Sequence, residues 1–466
     1  MDRGQTDTVP GAARRGRPVG AGREVATGPA AFLLAALVVT AVGVALRVGD
    51  FRAVAKAQGE LGPDAREYLQ IARQMKGFYW PTYREPLHPA LIRVATWVVG
   101  PGQDAARAVS LTFSSLLVLV TALAGRRLYG TWPALLAATV VAFSPDYLGL
   151  STEGLRPELY SVLLLTFLVL LAARPAEKAG GGREQAERGR ASSLPAIFAG
   201  VTGGLLCLTQ MTALVFVFPG LLLWALGRLR QPGPGGPGAR LQTGAAALVS
   251  MVLAALMVAP YLYLCHRCLG DSMVWITHHS TWWHQREMLM QRSEKLGEAP
   301  EPSAGSVAQE PAPAPSFPPA PPRPPGPVTV TRYLVGERSL AEFLGRFVRG
   351  YASIFYAYTA VFWVFVRSLG IGWLSRLAVV VGAAGFLGLL RSLWEGPRLP
   401  VAVALLSLLP VSFVVPVGAE TRLFLHVLPL WVMWVAWGLA WVLGAARTGL
   451  SWAFDRLTCS RARPET

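Results

Sequence analysis

The chain has 466 residues, 53% of them hydrophobic and only 15% charged, against roughly 25% charged in soluble domains. Its net charge of +16 lies mostly in short connections beside apolar segments, where it sets membrane orientation, and no basic stripe interleaved with aromatics accompanies it. Composition therefore excludes an ordinary soluble domain and a nucleic-acid partner, and four cysteines are too few for a disulfide scaffold. An all-α polytopic membrane protein remains. The abundant Gly, Pro and Trp fit helices that pack closely in lipid and anchor at its interfaces.

In chain order, residues 1–29 carry Arg14, Arg15, Arg17 and Arg23 among Gly and Pro and read as a disordered cytoplasmic N-terminus. The apolar run Ala31–Leu46 follows without a small-residue cleavage site, so it reads as an uncleaved signal anchor. Segments near the ~20 residues needed to cross ~30 Å of hydrocarbon lie around 31–48, 106–125, 131–150, 157–173, 194–210, 212–227, 243–264, 371–390, 398–417 and 423–444. Placed alternately, they put Arg126–Arg127, the 174–193 stretch, Arg228, Arg230, Arg240, Arg391, Arg398 and the tail 447–466 on the cytoplasmic side. This predicts ten spans, with both termini inside a plasma or inner membrane. The aromatic stretch Tyr351–Val366 is read as interfacial or re-entrant, since an eleventh span would export the basic tail.

The first half, 30–264, holds a long outer loop at 48–105, including "HPALIRVATWVVG", an apolar stretch short enough to lie in the interface. A second outer loop, 265–350, contains twelve prolines in the thirty residues 298–327 and reads as a coreless extended insert. The spans resume at 351–446.

The first outer loop concentrates acids. In "PDAREYLQIARQM", Pro63 opens a helix, Asp64 is placed to cap it, and Glu67 completes a capping-box pattern. Ala65, Tyr68, Leu69, Ala72 and Met75 fall on one face. "YREPLHP" adds Arg84, Glu85 and His88 beside rigidifying prolines. "SPDYLGLSTEGLRPELY" returns Asp146, Glu153 and Glu158 to the same side. Only fifteen uncharged residues separate Glu158 from Arg174. At ~1.5 Å per residue these span about 22 Å, so one of the two charges lies at the hydrocarbon edge. An acid at that depth is a candidate functional residue, its alternative being a salt bridge with Arg156. "GAETRLFLHVLPLW" sets Glu420, Arg422 and His426 at the start of the last span, where Arg422 can hold a phosphate or snorkel as an anchor.

The order Asp64/Tyr68/Ala72, "REPLHPALI", "ARAVSLTFSSLLVLVTALAGRRLYG", "LLAATVVAFSPDYLGLSTEGLRPELYSVLLLTF" and "AGVTGGLLCLTQMTALVFVFPGLLL", with a weaker echo at "ETRLFLHVLPL", resembles the C-type membrane glycosyltransferases. The branch it resembles is the dolichyl-phosphate-mannose protein mannosyltransferase-like one, which includes the aminoarabinose transferases; the likeness covers about residues 31–230. The resemblance implies a C-type bundle of about ten or eleven helices with interfacial helices in the first outer loop. It also implies sugar transfer on the extracytoplasmic face, from a polyprenyl-phosphate-linked donor to a glycan, lipid or protein acceptor. Asp64 matches the expected base and Glu158 a second acid where many relatives have Asp. Arg84, Glu85, Arg422, Tyr68 and Glu153 are the expected substrate-binding residues, with Glu85 ranked lower because the usual double proline is reduced to "PLHP". The chemistry agrees: a carboxylate takes the acceptor proton, a cation meets the lipid phosphate leaving group, and one opposed base inverts the anomeric carbon. No cofactor is called for, though a divalent ion at Asp64 is compatible. A transporter, a lipid flippase or a non-catalytic lipid-binding relative is the rival reading; acids gathered in outer loops rather than mid-span argue against transport.

"CHRCLGDSMVWITHHSTWWH" supplies metal-ligand residue types without a zinc spacing. Its Cys265 and Cys268 admit a small disulfide, and Trp275, Trp282 and Trp283 suggest an interfacial belt.

Overall fold

The computed structural model describes residues 28–57, 59–173, 184–230, 236–296, 339–368, 378–415 and 421–461. The N-terminal arginines, the Pro-rich insert, Arg174 and Glu420 fall outside them. Among the described residues every regular element is helical. The helices are α1 Pro29–Lys56, α2 Pro63–Gln74, α3 Leu87–Val99, α4 Gln103–Tyr129, α5 Thr131–Phe143, α6 Pro145–Glu153 and α7 Pro157–Ala172. They continue with α8 Glu184–Thr209, α9 Leu214–Arg230, α10 Gly236–Leu269, α11 Val274–Leu296, α12 Leu340–Ser368, α13 Ala378–Trp394, α14 Arg398–Val414 and α15 Leu428–Arg461. This is an all-α polytopic membrane protein.

By length and composition five described helices can cross a membrane, or six if α5 and α6 count as one span. The segments at α7, the apolar end of α8, α13 and α14 are apolar but shorter, so the expected ten spans divide into long helices and shorter packed ones. The expected continuous span at 131–150 is a correction: α5 and α6 meet at a 56° bend. Pro145 opens α6 and has no N–H for the Val141 carbonyl, so the ladder ends there. Arg47 fills the gap, donating to Val141 O (2.7 Å), Ala142 O (3.0 Å), Gly43 O (3.1 Å) and Ser114 Oγ (2.7 Å). Fully buried, this guanidinium caps a broken helix.

Close helix approach is set by small residues. A Cβ added at Gly388 of α13 would collide with the Trp434 carbonyl of α15, and one at Gly438 with the Ala384 carbonyl, so both positions need glycine. The stretch 351–366 forms the second half of α12, with Ile354, Tyr358 and Val361 buried and Tyr356 exposed. Helix α3 keeps Leu87, His88 and Ile92 buried while Val94, Trp97 and Val98 face outward, the one-sided pattern expected of an interfacial helix.

Candidate functional site

Helix α2 is amphipathic in the expected sense: Ala65, Tyr68, Leu69, Ala72 and Met75 are all buried. Asp64, however, does not cap it. The cap position is Gly62 without a side-chain bond, and both Asp64 oxygens take arginines instead. Arg84 Nη2 donates to Oδ1 at 2.9 Å, and Arg422 Nη2 donates to Oδ2 at 2.7 Å. Glu67, read as the capping-box partner, turns to Arg84, which reaches its Oε2 through Nε at 2.9 Å and through Nη2 as well. Arg84 thus joins two acids one helical turn apart.

Arg422 comes from a turn that three other elements hold. Tyr147 of α6 donates to Leu425 O (2.7 Å), Tyr358 of α12 donates to Phe424 O, and Ser407 of α14 meets His426 Nε2 at 3.2 Å. Ser114, already bonded to Arg47, donates to the Tyr147 carbonyl, so the Arg47 cap is bonded through to the Arg422 turn.

Tyr68 lies behind this cluster. Arg84 and Arg156 stand 5.2 and 5.8 Å from its ring centroid, and the His88 imidazole meets it edge-on at 5.0 Å. Beyond it, Arg156 pairs with the buried Glu85 and donates to Thr209 O (2.9 Å), while Glu85 Oε1 accepts Met211 N–H (3.0 Å). His88 reaches the carbonyl of Gly154, whose left-handed φ of 73° ends α6. Tyr261 of α10 donates to Thr82 O and Arg84 O, pinning the loop that carries Arg84.

The electrostatics follow. Burial alone would raise the Asp64 carboxyl, but Arg84 and Arg422 outweigh it and hold it below the usual carboxylate range. Burial opposes charge at Glu85 too, and Arg156, with His279 and the Met211 N–H, keeps that acid below its ordinary value. The His88 imidazole is pushed down to about 4, mainly by burial, and stays neutral.

Of the residues anticipated from sequence, Asp64, Tyr68, Arg84 and Arg422 come together, and Glu85 joins through Arg156 and Tyr68. Glu158 does not. Its carboxylate is fully buried, among the described residues no other residue hydrogen-bonds either oxygen, and the charges bearing on it are Glu153 and Arg47 rather than Arg84 or Arg422. The alternative partner Arg156 is bonded to Glu85, so the Glu158–Arg156 bridge weighed from sequence is not formed. Glu153 is exposed at the end of α6 and reaches Glu158 only electrostatically.

Sequence reading passed over Glu67 as a ligand of Arg84, although its spacing from Asp64 is a signal for a shared partner. Arg156 and Tyr261 left no such local signal. Cys265 and Cys268 are free thiols, which removes the disulfide. Trp275 is 2% exposed and packs in the core, so it belongs to no belt. Among the described residues no three His, Cys, Asp or Glu side chains gather as a metal-holding group.

Residues 83–264 match the family model described as dolichyl-phosphate-mannose-protein mannosyltransferase. No curated protein sequence matches. Among solved structures, the Archaeoglobus fulgidus oligosaccharyltransferase complexed with Zn and sulfate is 14% identical, with TM-score 0.47. That alignment covers 92% of this chain and 51% of the other. ArnT from Cupriavidus metallidurans bound to undecaprenyl phosphate is also 14% identical, with TM-score 0.44, over 91% of this chain and 63% of that one. The chain therefore spans about half to two thirds of the length of these proteins.

Proposed function

With residues 83–264 matching the dolichyl-phosphate-mannose-protein mannosyltransferase model, the family the sequence motifs resemble, we propose that this chain is a membrane glycosyltransferase. Its donor is a polyprenyl-phosphate-linked sugar, and Asp64 is its base. One observation carries the reading: a carboxylate near the end of the bundle is held between two guanidinium groups drawn from segments 20 and 358 residues away.

That arrangement suits a phosphate-bearing donor. Arginine binds phosphate in the same fork geometry as carboxylate. A lipid phosphate entering between Arg84 and Arg422 competes with Asp64 for their N–H groups and frees the carboxylate as it binds. The released oxygens then accept the proton of the acceptor hydroxyl while its oxygen attacks the anomeric carbon. The carbon–phosphate-oxygen bond breaks on the opposite side, and its electron pair leaves on the lipid phosphate, whose growing charge the two arginines meet. A single displacement of this kind inverts the anomeric centre.

Glu158 belongs behind this centre. It bears on Arg47 and Tyr147, and Tyr147 holds the turn that presents Arg422. It is a positioning acid in this reading, and Glu85 with Arg156 fixes the loop that presents Arg84.

Orientation follows from charge. Helix α4 runs from Gln103, which accepts the Leu61 N–H beside the site, to Arg126 and Arg127 about 35 Å away at ~1.5 Å per residue. Helix α9 ends on Arg228 and Arg230. The positive-inside rule puts those ends in the cytoplasm and the Asp64 site outside.

Lipid and glycan profiling of a strain carrying Asp64→Asn tests this. The expected result is an accumulated lipid-phosphate sugar, with the variant inserted in the membrane at normal levels. An unchanged profile rejects the assignment.

A further inference from the structure

Helix α11 sends Trp275 into the core, but its polar face is not used by the mechanism above. It carries His278, His279, His284, Gln285, Arg286 and Glu287 within ten residues, too polar for a span. Its two adjacent histidines do different work. His279 turns inward, its Nδ1 bonded to Trp275 O at 2.7 Å, and its neutral ring lies in the field of Glu85 and Arg156.

His278 faces the other way. Its ring packs on Tyr83 with centroids 4.5 Å apart and planes at 35°, and Tyr83 in turn lies 5.9 Å from the Arg84 guanidinium. Arg84 and Glu67 are the charges that bear on it. Among the described residues its ring nitrogens have no hydrogen-bonding partner, and it is exposed. It therefore opens onto the Asp64 cluster with free polar atoms.

The same helix face continues outward. Trp282 and Arg286 follow at four-residue steps, so the three side chains form one stripe. Trp282 is 46% exposed, with Arg286 set 5.4 Å from its ring centroid, while the neighbouring Trp283 is buried against Phe413. The stripe thus begins at the candidate site and leads away from it with an imidazole, an open indole and a guanidinium.

We propose that this face of α11 is the acceptor subsite and that it takes a saccharide; the proposal rests on reading the Asp64 cluster as the transfer centre. A pyranose ring presents weakly positive C–H groups on its faces and hydroxyls at its rim. The C–H face stacks on the electron-rich indole of Trp282. A rim hydroxyl donates to a neutral imidazole nitrogen of His278, and another oxygen accepts from Arg286. The donor does not compete for this surface. Its phosphate belongs to Arg84 and Arg422, its lipid tail needs hydrocarbon, and α11 offers polar side chains.

The test uses the full-length chain in nanodiscs, read on an array of immobilised neutral and acidic oligosaccharides, with undecaprenyl phosphate binding measured in parallel. The unmodified chain is expected to retain at least one glycan. His278→Ala and Trp282→Ala are each expected to weaken that retention about tenfold. His278→Gln, which keeps a hydrogen-bonding rim, is expected to stay within about threefold. Undecaprenyl phosphate affinity should not move in any of the three variants, which also shows that they fold. No retained glycan, or glycan binding indifferent to His278 and Trp282, overturns the proposal. So does loss of nanodisc incorporation without loss of glycan binding, the result expected of an interfacial anchor. Lipid phosphate binding that fails while the stripe still binds glycan would instead remove the donor assignment and, with it, the acceptor role, leaving a saccharide-binding face.

Discussion

Two buried or half-buried acids, Asp64 and Glu158, occupy opposite electrostatic situations within one bundle. Asp64 is 36% exposed and gripped by two arginines, whereas Glu158 is fully buried and no other described residue hydrogen-bonds its oxygens. The first is stabilised as a charge that an incoming anion can release. The second sits where ionisation is costly. In the proposed reading an acid serves transfer chemistry because of its partners, not because of its depth.

The sharpest break of that contrast is Asp64→Asn. Transfer is expected to fall by about 10²–10⁴-fold, the range for a lost general base, with expression and insertion intact. Glu158→Gln should reduce transfer only a few-fold, and Glu158→Met should leave thermal stability in detergent unchanged or higher, since an unpartnered buried carboxyl is replaced by an apolar shape. Equal losses at the two positions would erase the distinction.

Next in size is Arg422→Gln. Removing one of two phosphate ligands is expected to weaken undecaprenyl phosphate binding about tenfold in direct titration. It should also move the acid limb of the pH profile of kcat/KM, which reports the donor-free enzyme. Asp64 is held below its ordinary value near 4. The intact chain therefore loses activity only as pH falls below that value, and without Arg422 the limb shifts upward. The ion pairs' contribution to stability has the same sign: present above the unfolded pKa and lost as pH falls through the folded one.

The smallest effect is expected from Tyr147→Phe. It removes one hydrogen bond to the Leu425 carbonyl, about 1 kcal/mol. Loosening the Arg422 turn should raise the donor KM several-fold with a smaller change in kcat.

Much of this was legible in sequence. The one-sided burial of α2 follows from apolar spacing, and the helical membrane class from composition. The acids and arginines of the site lie in recognisable stretches, and residues 83–264 match a family model. The α5–α6 break was missed because Thr131–Leu150 reads as one apolar run, although Pro145 was in view. Local pattern alone favours a helix cap at Asp64, a role the folded chain does not give it. His278 was merged with its belt-like neighbours because spacing alone does not say which of two adjacent histidines turns inward.

What the chain determined by itself is which faces are apolar, since transfer from water depends on side-chain type and helical period. What only the tertiary structure decided is which charge meets which. With 43 basic residues against 27 acidic ones, each carboxylate has many admissible partners. Ion pairing weakens with distance, and each buried charge carries a desolvation cost that only a close partner offsets. Asp64 thus acquires Arg422 across 358 residues, and Glu158 acquires no hydrogen-bonding partner among the other described residues, only when the helices pack.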